Sequence, residues 1–139
     1  MSDKELIHES VEKLSTRFEW LSSKVYEDFF RLHPEAQVMF GADVGNVAKR
    51  NMLTGIFCAV MDQAEGISDD DRTFFWASDH VAYNVTLPMY AAMVGVLVGA
   101  MKECLGGDWN EAVAAAWGRQ FERMMTPIKS AYTETGQLP

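Results

Sequence analysis

The chain reads as an all-α domain of about seven helices. Three observations predict that class. Apolar residues recur at helical spacing almost throughout, while strand-like alternation is nearly absent. Prolines and glycines fall where helices should start and stop, at Pro34, Gly66, Pro88 and Gly106-Gly107. The run from Leu87 to Met101 carries no charge at all, so it needs other helices to cover it on most sides. With 139 residues, 48% apolar and 23% charged, the chain is long enough for one buried core and too apolar to stay disordered.

The elements follow in order. A first helix is expected near residues 3–15. A second, near 17–32, stops before Pro34, because the residue preceding proline resists the helical region. Its Phe18, Leu21, Val25, Phe29 and Leu32 form one stripe, with Tyr26 and Phe30 adjoining it. Pro34–Phe40 makes a short helical turn, begun by a proline whose missing amide costs nothing there. After the loop GADVG a long helix runs to about Ala64 and stops near Gly66. Ser68 then caps a helix opened by Asp69, Asp70 and Asp71, which ends close to His80. Thr86, Leu87 and Pro88 begin the central apolar helix, closed at Gly106-Gly107. Asp108 and Glu111 form a capping box for the last helix, striped by Trp109, Val113, Trp117, Phe121, Met124 and Ile128. Pro127 predicts a kink or break within it. Residues 1–2 and 133–139 are expected to fray, and residues 1–139 to form a single domain.

Composition excludes several functions. A net charge of -8 argues against nucleic acid or an anionic membrane as partner. Leu87–Met101 falls short of the ~20 residues that span a bilayer. The opening MSDKELIHESVEKL lacks the apolar core of a secretory signal, and Cys58 and Cys104 sit alone in apolar runs. Both features predict a cytoplasmic protein with reduced, packed thiols. No GxGxxG, GxxxxGKS, HExxH or GxSxG occurs. Asp69–Asp71 would point about 100° apart on a helix and cannot converge on a metal, so they read as a solvated helix start. The nine methionines read as flexible core filler.

Two side chains stand apart. His8 and His33 fall in polar surroundings and are expected to be exposed. His80 is flanked by Phe74, Phe75, Trp76, Tyr83 and Val85, just before the apolar helix. It is either a cation favoured by a helix C-terminus or a ligand. Tyr26 lies on a broadly apolar helix, and a buried phenol needs a hydrogen-bond partner, which in most proteins is a backbone carbonyl.

Together these positions resemble a globin, most nearly the single-domain bacterial haemoglobins and the haem domain of flavohaemoglobins. VYEDFFRLHPEAQVMF is similar to a family segment in which a tyrosine is followed by phenylalanine, Pro-Glu and a second phenylalanine, places filled by Tyr26, Phe30, Pro34-Glu35 and Phe40. HVAYNVTLPMY is similar to the proximal motif, with His80, Val85 and Tyr90. LVGAMKECLG and Ala116-Trp117 also fall where the family has such residues, so the likeness spans about Lys24 to Ile128. The resemblance implies a globin-like fold holding haem, with His80 as the axial ligand to iron and an apolar cavity around it. Phe40 would pack on the distal face of the porphyrin, with Phe30 beside it. Leu53, Ile56, Phe57, Val85, Met93 and Phe121 would line the pocket, and the Tyr26 hydroxyl would donate to bound dioxygen. The family's distal glutamine or histidine is replaced by Lys49, or by Arg50 in a gapless alignment. Either cation is expected to swing outward toward a haem propionate. Tyr90 keeps its place in the flavohaemoglobin proximal set, but the glutamate that completes the set is replaced by Tyr132.

The implied function is reversible binding of dioxygen or another diatomic gas, by a monomer or homodimer. Two alternatives of other classes stand beside it. One is nitric oxide dioxygenation, which needs a separate reductase. The other is a globin-fold sensor or interaction protein.

Overall fold

A computed structural model describes residues 1–67 and 70–134. Among them every regular element is helical: six α-helices, the seven-residue 3-10 helix Pro34–Phe40, and two single 3-10 turns. The helix α1 spans Asp3–Ser15, α2 Phe18–Leu32, α3 Val47–Ala64, α4 Asp70–Ala82, α5 Leu87–Leu105 and α6 Glu111–Glu134. The architecture is all-α, as the periodicity predicts, and globin-like, as the family resemblance implies.

Most boundaries follow the expected chemistry. Residues 1–2 and 133–139 were expected to fray, but the Ser2 hydroxyl accepts from the Glu5 amide at 3.2 Å and caps α1, and residues 133–134 belong to α6. Helix α3 closes in a Schellman motif: the Ile67 amide reaches the Asp62 carbonyl and the Gly66 amide that of Gln63, with Gly66 at φ 84°. Two boundaries differ. The cap of α6 is Asn110, whose side-chain oxygen accepts from the Val113 amide at 3.0 Å; Asp108 instead faces Lys13 at 3.5 Å. Helix α6 runs unbroken through Pro127 to Glu134, because packing along both of its halves compensates the single lost amide. Ser68 and Asp69, the expected cap of α4, lie outside the described residues, as do residues 135–139.

The main core gathers Leu6, Ile7, Leu14, Leu21, Val25, Leu53, Phe57, Val60, Leu97, Met101 and Trp117 from α1, α2, α3, α5 and α6. A smaller cluster of Ala77, Tyr90, Ile128, Ala131 and Tyr132 joins α4 to α5 and α6. Leu32, expected in the α2 stripe, is 59% exposed at the helix end. Cys58 is exposed rather than packed. Leu87–Asp108 is long and apolar enough by composition to cross a membrane, but here it is the core helix, with Met89, Met93, Leu97, Ala100 and Met101 buried. Helices α3 and α4 make almost no direct contact, although both pack on α6. A cleft lies between them.

Candidate functional site

His80 takes its position from how α4 ends. Asn84 adopts a left-handed conformation, φ 66°, and closes a second Schellman motif. The Val85 amide bonds the His80 carbonyl at 3.0 Å and the Asn84 amide that of Val81 at 3.0 Å. The backbone of His80 is therefore fixed in the last full turn of α4. Its half-buried ring is fixed as well: Nδ1 lies 3.1 Å from the carbonyl of Trp76, one turn earlier. A carbonyl can only accept, so Nδ1 carries the proton and Nε2 keeps its lone pair. No residue among those described hydrogen-bonds Nε2. Trp76 and Tyr90 pack edge-on against the imidazole, with ring centroids 4.3 and 5.9 Å away. Burial pushes the imidazole below the ordinary histidine pKa, an effect partly offset by the Trp76 carbonyl and the Asp79 carboxylate. The ring is thus neutral near pH 7, as a metal ligand must be.

His80 forms part of the wall of a cavity of about 230 Å³. Phe40, Ile56, Val85, Tyr90, Met93 and Phe121, all expected there, line it too. Met52, Trp76, Tyr83 and four further methionines complete much of the wall. Helical spacing carried the signal for several of these: Met52 precedes Ile56 by one turn of α3, and Met124 and Ile128 belong to the α6 stripe. Among the described lining residues there is no carboxylate, lysine or arginine; only Trp76, His80, Tyr83 and Tyr90 carry exchangeable side-chain protons. A second cavity, about 340 Å³, opens between α3 and α4 beyond Met52, Ile56, Trp76 and Met124, which line both.

The other expected site residues lie elsewhere. Leu53 is fully buried in the main core, and Phe57 packs there on Trp117. Phe30 forms an aromatic group with Tyr26 and Phe40, at 5.8 and 5.6 Å, just behind the cavity wall. Tyr26 is buried, but its hydroxyl donates to the carbonyl of Lys49 at 2.9 Å, the backbone partner that a buried phenol ordinarily finds. Burial, and secondarily the Asp43 carboxylate, push its pKa up, so it stays a protonated donor. Neither cation of α3 enters the cavity. Lys49 Nζ lies 3.4 Å from Asp43 and 3.3 Å from Asn46, and Arg50 pairs with Glu19 at 3.0 Å and the Gly45 carbonyl at 3.1 Å. On α3 the cavity-facing positions are Met52 and Ile56. His8 and His33 are half-buried beside Glu65 and Glu35, at 2.9 Å each, rather than freely exposed.

Behind His80, the Tyr132 hydroxyl donates to the Val85 carbonyl at 2.5 Å. The Tyr90 hydroxyl is buried beside it without a well-aligned hydrogen bond, and burial, then Tyr132, push its pKa up. The residues fit a haem on one specific ground. A neutral imidazole nitrogen without a hydrogen-bond partner among the described residues is held in the wall of an apolar, aromatic-lined cavity. Among the described residues no cluster of three or more histidine, cysteine or acidic side chains offers a bare-metal site.

The chain matches no protein-family model. Over 143 aligned positions it is 20% identical to two proteins of Casuarina glauca named anaerobic nitrite reductase, SYMA and HBI, covering 93% of this chain and 94% of each relative. This end-to-end likeness supports a distant relationship to the globins.

Proposed function

We propose that the protein binds haem through His80 and takes up dioxygen or a related diatomic gas at the iron. One observation carries this reading: the Trp76 carbonyl fixes the imidazole proton on Nδ1, leaving Nε2 as a bare donor in the cavity wall. Haem would supply the electron-rich iron to which such a gas binds. The chain's residues orient the ligating imidazole, keep it neutral and exclude water. Phe40, Ile56, Met93 and Phe121 give a porphyrin apolar contact. Tyr26 would reach a bound gas only by leaving the Lys49 carbonyl, so it is not needed for the reading. A cytoplasmic location and a monomeric or dimeric state belong to the same proposal.

Titration of the purified protein with haemin tests it. The expected result is a saturable, intense absorption band at one haem per chain, which His80→Ala abolishes or shifts to that of free haemin. An identical band in the variant removes His80 as the ligand.

The names of the two relatives favour a second reading, one-electron reduction of nitrite to nitric oxide with electrons from a separate reductase. That conversion consumes protons, and the described cavity wall holds no carboxylate or cation to relay them. Reversible gas binding therefore fits the site better. Nitric oxide dioxygenation would equally depend on a separate reductase. Sustained nitric oxide release from nitrite, at many turnovers per haem under anaerobic reduction, would reverse this ranking.

A further inference from the structure

We propose that Met52 is the second axial ligand of the haem held by His80, so that the resting protein carries a histidine–methionine pair which an incoming gas must displace. The inference deepens the haem-binding reading and rests on it.

Lys49 and Arg50 are tied to Asp43, Asn46 and Glu19, and the Tyr26 hydroxyl is tied to the Lys49 carbonyl. Met52 and Ile56 remain as the cavity-facing side chains of this helix. Isoleucine has no donor atom, so the thioether of Met52 is the one lone pair that α3 offers. Helices α3 and α4 stand on either side of the cleft, almost without touching, which places Met52 and His80 on different walls.

The chemistry suits the pair. A thioether is a soft, neutral ligand that binds iron alongside an imidazole without bringing a charge into an apolar cavity. It does not titrate, so neither acid nor burial removes its donor character. Met52 is half-buried and has three rotatable side-chain bonds, so it can approach or leave the metal without moving α3. Six of the nine methionines line this cavity, but the other five come from different elements: Met39 from the 3-10 helix, Met89 and Met93 from α5, Met124 and Met125 from α6. Those five are filler in this account.

The test compares the haem-loaded wild type with Met52→Leu and, as a control of equal chemistry, Met39→Leu. The readouts are the weak near-infrared sulfur-to-iron charge-transfer band of the ferric form and the strongly shielded methionine methyl resonance of the ferrous form. Both should be present in the wild type and in Met39→Leu and absent in Met52→Leu. Cyanide should bind the ferric Met52→Leu protein about tenfold faster or more, since an internal ligand occupying the site some 90% of the time taxes association by that factor. Sulfur signals that survive in Met52→Leu would assign the bond to another methionine and overturn the proposal. A wild type that binds haem through His80 but shows no sulfur signal would overturn it too, leaving the haem-binding reading intact. Failure to take up haem at all would remove both.

Discussion

The two walls of the cavity handle their polar groups in opposite ways. On the α4–α6 side, polar atoms are held so that one donor faces inward: Trp76 fixes the His80 ring, the Asn84 turn fixes its backbone, and Tyr132 ties down the Val85 carbonyl just beyond. On the side of α2 and α3, polar atoms are paired away from the cavity: Tyr26 with the Lys49 carbonyl, Lys49 with Asp43, and Arg50 with Glu19. The first wall is built to present a ligand, and the second to exclude charge. On the proposed haem-binding reading, the contrast teaches that ligation would depend on a few oriented hydrogen bonds on one side. The opposite side would contribute shape, apolar surface and, from α3, the proposed Met52 sulfur.

The largest effect that would break the contrast is loss of haem binding in His80→Ala, expected to cost at least about a hundredfold in haemin affinity if the imidazole supplies even ~2.7 kcal/mol. Next comes Tyr132→Phe. Removing the hydroxyl leaves the Val85 carbonyl without that donor, so stability to urea should fall by about 1–2 kcal/mol, with faster haem loss as the segment after His80 loosens. Unchanged stability would mean that this hydrogen bond does not hold the segment in solution.

Tyr26→Phe should cost about 1 kcal/mol of stability through the Lys49 carbonyl and leave dioxygen release within about twofold of wild type. The family resemblance alone predicts something different, a phenol that donates to bound gas and a release at least about tenfold faster without it. Stopped-flow release kinetics separate the two, and the faster rate would show that the phenol turns inward.

The smallest effect is on pH. The folded pKa of His80 is depressed, chiefly by burial, so the unfolded chain binds more protons at this group in the window below the ordinary value of 6.5. Stability of the haem-free protein is therefore full above that value and lost as pH falls toward the depressed one, by at most about 1.4 kcal/mol per pH unit from this group. His80→Gln should flatten that limb of the urea midpoint against pH. An equally steep limb in the variant would place the titration elsewhere.

Much of the fold was legible because helix ends are written locally. Pro34, Gly66, Pro88 and Gly106 stop or start helices at positions that their own backbone preferences dictate. On the α4–α6 side, His80, Val85 and Tyr90 lie within eleven residues joined by one tight turn, so the spacing of the motif carried over directly. Local context alone left His80 open between a helix-end cation and a ligand, and the family resemblance supplied its expected role. The phase of α3 was not legible. Gly45 and Asn46 both have positive φ before the helix begins, so counting residues from Phe40 cannot set which face looks inward. Leu53 and Phe57 form one apolar stripe and Met52 and Ile56 the next, and only packing decides between them: the first pair entered the core and the second the cavity. The direction of the Tyr26 hydroxyl was likewise open, because both a carbonyl and a bound gas satisfy a buried phenol. Asn110 took the α6 cap that the spacing of Asp108 and Glu111 had suggested for aspartate, since Gly106–Asp108 winds into a 3-10 turn first.

Ligation through His80 requires its ring proton on Nδ1, with Nε2 left bare. A long-range proton–nitrogen correlation spectrum of the haem-free protein near neutral pH reads this without any cofactor, with His80→Gln assigning the signals. It should show a neutral ring protonated at Nδ1 and bare at Nε2. A ring protonated at Nε2, or charged at both nitrogens, would contradict it.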